Sequence, residues 1–235
     1  MGFLAHITNL CEIDLTLKEL DYAFDVLGAA GVALGTSYHK SGTVYYLGDA
    51  LFTPIWDALS TRKAVVLVHP VPSPGMGTIN ENLPQPAYDF PHETGRAAID
   101  LISNSSNMMR DHAMDCKIIL SHAGGDLPFL IDRVAGLMCH GPQVLRLGKS
   151  SDDILAEARR FYYDAALSSS PMQMSALLSL LGHDYQDHIL LGTDYPPAGM
   201  EAIEYFSRQL CDSQVVDVTR VRHNALALLP QFGKK

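Results

Sequence analysis

The segment "KIILSHAGG", residues 117–125, places three consecutive apolar residues before a histidine and a pair of glycines. Consecutive apolar residues indicate a strand that is buried on both faces. Such runs recur along the chain between segments of helical period, and they predict six strands: Phe3–Ile7, Gly31–Gly35, Ala64–His69, Lys117–His122, Phe161–Leu167 and His188–Asp194. The alternation predicts an α/β fold whose parallel sheet has helices on both faces, as in a (β/α) barrel or an open doubly wound sheet.

Several helix boundaries are also marked in the sequence. Three helix starts are predicted from a capping box or from a capping residue before proline: Thr16-x-x-Glu19, Thr53-Pro54 and Ser170-Pro171. Gly28 and Gly182 are expected to end helices. Residues 70–91 are rich in proline, and we expect one long irregular loop there, of the kind that often forms a functional lid.

Composition excludes several classes of protein. The formal net charge of −9 argues against a nucleic-acid or anionic-membrane surface, because those surfaces need clustered Lys and Arg. No run of 18 apolar residues or basic amino-terminal segment indicates a membrane span or a secretory signal, so the cytoplasm is expected. The four cysteines lie far apart without C-x-x-C spacing, which favours small buried thiols in a reducing compartment.

Three predicted strands end in a side chain that can bind a metal ion. These side chains are His69, His122 and Asp194, and a proline or a glycine pair turns the chain shortly after each. The carboxyl ends of barrel strands open into one common mouth, and imidazole and carboxylate groups are suitable ligands for a divalent ion. Taken singly, each residue has an ordinary alternative, a hydrogen-bonded histidine at the rim or an aspartate that caps a helix.

Four segments, in the order "VVLVHP", "KIILSHAGGDLPFLIDRV", "FYYDAAL" and "HILLGTDYPPA", resemble the amidohydrolase-related (amidohydrolase 2) decarboxylase family. This family includes aminocarboxymuconate-semialdehyde decarboxylase and fungal 6-methylsalicylate decarboxylase, and the resemblance covers nearly the whole chain. It implies a (β/α) barrel in which His69 and Asp194 bind the metal and His122 is the catalytic acid and base. The implied cofactor is a divalent metal, zinc or alternatively manganese.

The resemblance also bears on three other polar residues. Arg133 matches an arginine that helps to hold the substrate carboxylate in some relatives, and the alternative is a surface ion pair with Asp132. Asp164 fits a strand that faces the site, although a helix-capping role or support of a neighbouring site residue is an equal alternative. Asp126 is expected to be the N-cap of the next helix rather than a catalytic acid.

The chain departs from the family pattern at its beginning. The family opens with a strand that carries H-x-H or E-x-H, and this chain has no such motif. Aligned in order, Phe3–Ile7 corresponds to the third barrel strand, so we expect residues 1–235 to form a single incomplete TIM-type barrel that lacks the first two strand-helix units. His69 and Asp194 alone would give a metal fewer ligands than a catalytic site normally supplies.

The resemblance implies a metal-dependent, non-oxidative decarboxylase of a small aromatic or unsaturated carboxylic acid, of the 6-methylsalicylate type, in secondary metabolism. One alternative is a metal-dependent amide or lactone hydrolase of the same superfamily. A second alternative is an inactive, shortened paralogue that acts as a binding subunit. The expected partner is the small carboxylic acid, and a homo-oligomer is also compatible with the resemblance.

Overall fold

The computed structural model describes residues 2–7, 9–72, 82, 85–104, 107–143, 148–182 and 184–233. Its strands are β1 Leu4–His6, β2 Gly31–Gly35, β3 Ser37–Lys40, β4 Thr43–Tyr46, β5 Val65–His69, β6 Lys117–Leu120, β7 Tyr162–Asp164 and β8 Ile189–Leu190. Its α-helices are α1 Ile13–Asp21, α2 Thr53–Thr61, α3 Gln85–Ser103, α4 Leu127–His140, α5 Ser151–Arg159, α6 Pro171–Leu181, α7 Gly199–Asp212 and α8 Val218–Leu228. The alternation of strands and helices confirms the predicted α/β class.

Six strands form one parallel sheet in the order β1-β2-β5-β6-β7-β8. These are the six predicted strands, and each lies beside its neighbour in sequence because parallel strands are joined through helices. The prediction did not include β3 and β4, which form an antiparallel hairpin directly after β2. Within the described residues the sheet is open, with β1 and β8 as its edges, so a closed barrel is not observed.

The two faces of the sheet are covered differently. Val66, Leu120 and Tyr163 point to one face and join the main core with the helices. On the opposite face a smaller apolar cluster combines strand residues with Leu228 of α8. Its buried members are Val65, Ile119, Leu190 and Leu228. Both faces of the central strands are therefore buried near their amino ends, which explains their consecutive apolar residues.

Three predicted strands end two or more residues earlier than expected. β6 ends at Leu120, β7 at Asp164 and β8 at Leu190, although the predictions extended these strands to His122, Leu167 and Asp194. His122, Leu167 and Asp194 each have a positive φ between 54° and 56°, which is incompatible with a continuing strand. His122 and Asp194 therefore belong to turns beyond the sheet.

Of two helix starts predicted from capping residues, the one at Ser170 is confirmed and the one at Thr16 is wrong. Ser170 caps α6 in a capping box with Gln173, as expected. The Thr16-x-x-Glu19 prediction is wrong, because α1 already begins at Ile13 and the Thr16 hydroxyl donates to the Asn9 carbonyl at 3.0 Å.

The other predicted helix boundaries involve a threonine and two glycines. Thr53 is the first residue of α2 rather than its cap, because a 3₁₀ turn over Ala50–Phe52 precedes the helix. Gly28 and Gly182 follow helical segments with φ of 66° and 68°, as a glycine stop requires.

The prediction of one irregular loop over residues 70–91 is wrong in its final part. Helix α3 begins at Gln85 and contains Pro91, while residues 73–81, 83 and 84 lie outside the described part of the chain. Tertiary packing overrides the helix-breaking tendency of Pro91 here. A Cβ placed on Gly125 would lie 1.9 Å from the Pro91 carbonyl oxygen, so α3 is in tight contact with the turn that carries His122.

No helix within the described residues is both long enough and apolar enough to cross a membrane.

Candidate functional site

His69, His122 and Asp194 converge at the carboxyl ends of three strands. His69 is the last residue of β5, His122 lies two residues beyond β6, and Asp194 lies four residues beyond β8. One potential ligand atom from each residue lies within 4.8 Å of the other two. The predicted proximity of these three side chains is therefore observed, although proximity does not by itself assign their roles.

The distances within the cluster are short enough for direct contact. His69 Nε2 lies 3.2 Å from Asp194 Oδ1. The His69 and His122 rings pack edge to face with their centroids 5.2 Å apart. His122 is only 6% exposed as a residue, whereas the His69 side chain remains 32% exposed. A small molecule would therefore meet His69 first and His122 deeper in the site.

Each histidine uses one ring nitrogen to bind a backbone carbonyl. His69 Nδ1 lies 2.9 Å from the Pro70 carbonyl oxygen, and His122 Nδ1 lies 3.1 Å from the Ala166 carbonyl oxygen. A carbonyl can only accept, so Nδ1 carries the hydrogen in both rings and donates it. In the neutral form, both Nε2 atoms then have a free lone pair.

This arrangement fits a cation between His69 and Asp194. If His69 is neutral, its Nε2 lone pair and the Asp194 carboxylate oxygen are two acceptors facing each other at 3.2 Å. Such a contact is unfavourable unless a proton or a cation lies between the two atoms. Imidazole nitrogen and carboxylate oxygen are both normal ligands for zinc and similar divalent ions.

The backbone at these strand ends is strained. His122, Ala123 and Asp194 all adopt left-handed conformations, with φ of 55°, 55° and 56°. Such values are uncommon for residues other than glycine and cost of order 1–3 kcal/mol each when the surroundings hold them. These strained residues lie in two of the segments that carry the candidate site, the turn after β6 and the turn after β8.

Asp164, at the end of β7, contacts the backbone that carries His122. Its Oδ1 atom accepts hydrogen bonds from the backbone N–H of His122 at 3.1 Å and of Ala166 at 3.0 Å. Burial raises the pKa of the Asp164 carboxyl, while the nearby charge of His122 and the two backbone hydrogen bonds oppose that rise. The sequence suggested that Asp164 faces the site but gave no signal for these bonds or for the Ala166 carbonyl, because both involve the main chain.

Two other predicted residues lie outside this cluster. Arg133 is exposed on α4, and among the described residues no hydrogen bond or ion pair joins it to the cluster or to Asp132. Asp126 occupies the N-cap position of α4, as expected, but its side chain makes no capping hydrogen bond. Instead, Asp126 Oδ2 lies 2.6 Å from Nδ1 of His92 on α3.

The fold and the cluster define a class: an α/β protein with a parallel sheet and a candidate metal site at the carboxyl ends of its strands. Comparison with known proteins identifies the family. The sequence profile of the amidohydrolase family matches residues 2–214, and this chain belongs to that family.

The chain is 42% identical over 239 residues to a 6-methylsalicylic acid decarboxylase of Aspergillus aculeatus, covering 99% of this chain and 70% of the relative. It is also 42% identical over 233 residues to a 6-methylsalicylic acid decarboxylase of Penicillium expansum, covering 99% of this chain and 69% of the relative. The chain thus spans about 70% of the length of these relatives.

A solved structure of similar fold is a dihydroxybenzoic acid decarboxylase of Polaromonas with bound manganese and the inhibitor 2-nitroresorcinol. It superposes with a TM-score of 0.76 at 20% identity, covering 94% of this chain and 67% of that chain. This likeness supports the architecture of the fold.

Proposed function

We propose that this chain is a metal-dependent, non-oxidative decarboxylase of a small aromatic carboxylic acid of the 6-methylsalicylate type. The observation that carries the proposal is the convergence of His69, His122 and Asp194 at three strand ends. The 42% identity to 6-methylsalicylic acid decarboxylases supports the substrate class. In this proposal the reaction takes place in the cytoplasm as part of secondary metabolism, and the four free cysteines are compatible with a reducing compartment.

His69 and Asp194 are the proposed metal ligands. Their facing acceptor atoms fit a divalent ion, with zinc or manganese as the candidates. When bound, the ion would act as a Lewis acid towards the substrate carboxylate and a neighbouring oxygen. The hydrogen bond to the Pro70 carbonyl would hold the His69 ring with Nε2 towards the ion, as is usual for histidine ligands.

His122 is the proposed proton donor. In its imidazolium form, Nε2 would give a proton to the ring carbon that bears the carboxylate, while Nδ1–H stays bound to the Ala166 carbonyl. The bond between that carbon and the carboxylate carbon then breaks, its electron pair returns to the aromatic ring, and CO₂ leaves. His122 regains a proton from solvent. The low exposure of His122 would keep bulk water away from the ring carbon while the proton is transferred to it.

We further propose that the open sheet corresponds to part of an eight-stranded barrel. In that arrangement additional ligands of the H-x-H type would come from barrel strands other than the six observed here. Arg133 is proposed to contact the substrate carboxylate, supported by its exposed position on the helix that follows His122. An Arg133→Ala substitution would then raise KM more than it lowers kcat.

The proposal is tested by CO₂ release and by metal content. The 235-residue chain, alone and joined to barrel strands that carry the H-x-H ligands, is incubated with 6-methylsalicylate, with dihydroxybenzoates, and with amide and lactone substrates as a comparison, while elemental analysis measures bound divalent ions. We expect CO₂ release from a salicylate-type acid, loss of bound metal in Asp194→Asn, and retention of metal but loss of turnover in His122→Asn. Hydrolysis of the amides or lactones without CO₂ release would overturn the decarboxylase assignment.

A further inference from the structure

Asp164 closes a ring of hydrogen bonds around His122. Its Oδ1 atom accepts from the backbone N–H of His122 and from the backbone N–H of Ala166. The Ala166 carbonyl in turn accepts from His122 Nδ1 at 3.1 Å. One carboxylate oxygen therefore connects the turn after β6 to the loop after β7, and that loop fixes the imidazole.

The two bonds to Asp164 differ in what they indicate. An aspartate that accepts from the N–H two residues ahead makes an ordinary local turn, and the Ala166 bond is of this kind. The bond from His122 spans 42 residues of sequence and joins two different strand-loop units. It also satisfies the N–H of a residue held at a φ of 55°, where a non-glycine backbone needs support from its surroundings.

Asp164 also lies against the third strand end of the site. A Cβ placed on Gly192 would lie 3.0 Å from the Asp164 carboxyl carbon, so the segment that leads from β8 to Asp194 passes directly over the carboxylate. The side chain therefore contacts the turns of β6, β7 and β8 together. Its position depends on a glycine at 192, since any larger residue there would press on it.

We propose that Asp164 is a positioning residue for the reaction: through its Oδ1 it holds the His122 backbone and the Ala166 carbonyl so that His122 keeps its Nδ1–H tautomer. This inference rests on the proposed function for the role of His122 in proton transfer. The acceptor geometry of Asp164, rather than its charge, carries the effect. Asparagine has the same acceptor oxygen without the charge, so the two contributions can be separated by substitution.

The experiment compares Asp164→Leu with Asp164→Asn as its matched control. Two-dimensional NMR of ¹⁵N-labelled histidine reports the His122 tautomer without requiring activity, and CO₂ release gives kcat and KM. In Asp164→Asn we expect the Nδ1–H tautomer and a kcat within about threefold of the parent chain. In Asp164→Leu we expect a loss of the defined tautomer and a fall in kcat of about 10²-fold with little change in KM.

Several outcomes would overturn the proposal. One is an Asp164→Leu chain that retains the His122 tautomer and its kcat, and another is an Asp164→Asn chain that keeps the tautomer but is as inactive as Asp164→Leu. If circular dichroism shows that Asp164→Leu is unfolded, the Gly192→Ala variant tests the proposal instead. Its added methyl group displaces the Asp164 side chain but leaves both carboxylate oxygens present as acceptors. A shift of the His122 Nδ1 proton signal supports the proposal and an unchanged signal overturns it. A parent chain without CO₂ release would contradict the proposed function, while the tautomer measurement would still decide the role of Asp164.

Discussion

The chain contains two clusters of ionisable side chains that are organised in opposite ways. Lys149 Nζ donates to both carboxylate oxygens of Glu157, at 3.0 and 2.9 Å, and to the Ile102 carbonyl at 2.6 Å. These side chains are only 5% and 10% exposed. At the strand ends, His69 Nε2 and Asp194 Oδ1 instead face each other as two acceptors when His69 is neutral.

The difference separates a structural cluster from a candidate functional one. In the Lys149–Glu157 cluster, all three ammonium hydrogens have acceptors and the charges cancel, so the cluster is complete without a further component. With neutral histidines, the strand-end cluster has free lone pairs that a cation would satisfy, and its backbone is strained. Substitutions should therefore affect folding in the first cluster and chemistry in the second.

The largest effect is expected for His122→Asn. The asparagine side-chain amide can still donate to the Ala166 carbonyl, but the ring nitrogen proposed to transfer the proton is lost. We expect kcat for CO₂ release to fall about 10²–10⁴-fold, the usual contribution of general acid catalysis, with little change in unfolding free energy. Steady-state assays and urea unfolding measure the two quantities. A His122→Asn variant that unfolds more easily but keeps its normal kcat would show that His122 serves folding and not chemistry.

The next effect concerns stability alone. Lys149→Met leaves the Glu157 carboxylate buried without its cation, so the unfolding free energy should fall by about 3–5 kcal/mol. Lys18→Met on the exposed side of α1 serves as the control and should change stability by less than about 0.5 kcal/mol. The double variant Lys149→Met, Glu157→Leu should recover much of the loss. Urea titration measures all three, and equal values for Lys149→Met and the control would contradict the structural role.

Metal addition should affect only the strand-end cluster. A ligand that binds the folded chain alone stabilises it by about 2.7 kcal/mol at a concentration of 100 Kd. We expect Zn²⁺ or Mn²⁺ to raise the melting temperature of the parent chain and of the control Asp132→Asn, but not of Asp194→Asn. Differential scanning fluorimetry with and without EDTA makes the measurement. An equal increase in all three chains would place the binding elsewhere.

The smallest effect is expected for Asp100, a partly buried acid whose hydrogen bonds within the described residues include no cationic partner. Asp100 on α3 accepts from the Gly48 N–H at 2.7 Å and from the Asn104 amide at 3.3 Å. Burial raises the pKa of Asp100 above its ordinary 3.8, while these two hydrogen bonds oppose the rise. A raised folded-state pKa stabilises the fold below pH 3.8, and that contribution is lost as the pH rises through the folded value.

Relative to Asp100→Asn, the parent chain should therefore lose stability as the pH rises above about 4. Urea unfolding at pH 4 and pH 7 gives the two differences in unfolding free energy. A constant difference between the two pH values would show that the fold does not perturb this carboxyl.

The sequence predicted the sheet well because most of its strands carry consecutive apolar residues. The consecutive apolar residues Ile118–Leu120 are buried on both faces, and a parallel sheet covered by helices provides that burial. The hairpin Ser37–Lys40 and Thr43–Tyr46 was missed, since its polar and aromatic residues carry no such signal. The first residues of α3, from Gln85 to Pro91, were assigned to the irregular loop because of their prolines, whereas packing against Gly125 outweighs that local propensity.

For the candidate site, sequence supplied the residue types but not their arrangement. His69, His122 and Asp194 could be selected because each follows an apolar strand and precedes a turn. The Nδ1 bonds to Pro70 and Ala166 could not be predicted, because backbone carbonyls are present at every position. For the same reason, the hydrogen bond from His122 N–H to Asp164 leaves no pattern in the sequence.

The backbone bonds of the two histidines have a consequence for how this protein can change over generations. The tautomer of His69 depends on the carbonyl of the adjacent Pro70, which no side-chain replacement removes. His122 depends on a carbonyl 44 residues away, whose place is held by Asp164. Sequence changes around Pro70 should therefore leave the orientation of the His69 ring unchanged, provided that Asp194 is retained. The orientation of His122 should instead be sensitive to substitution of either Asp164 or Gly192.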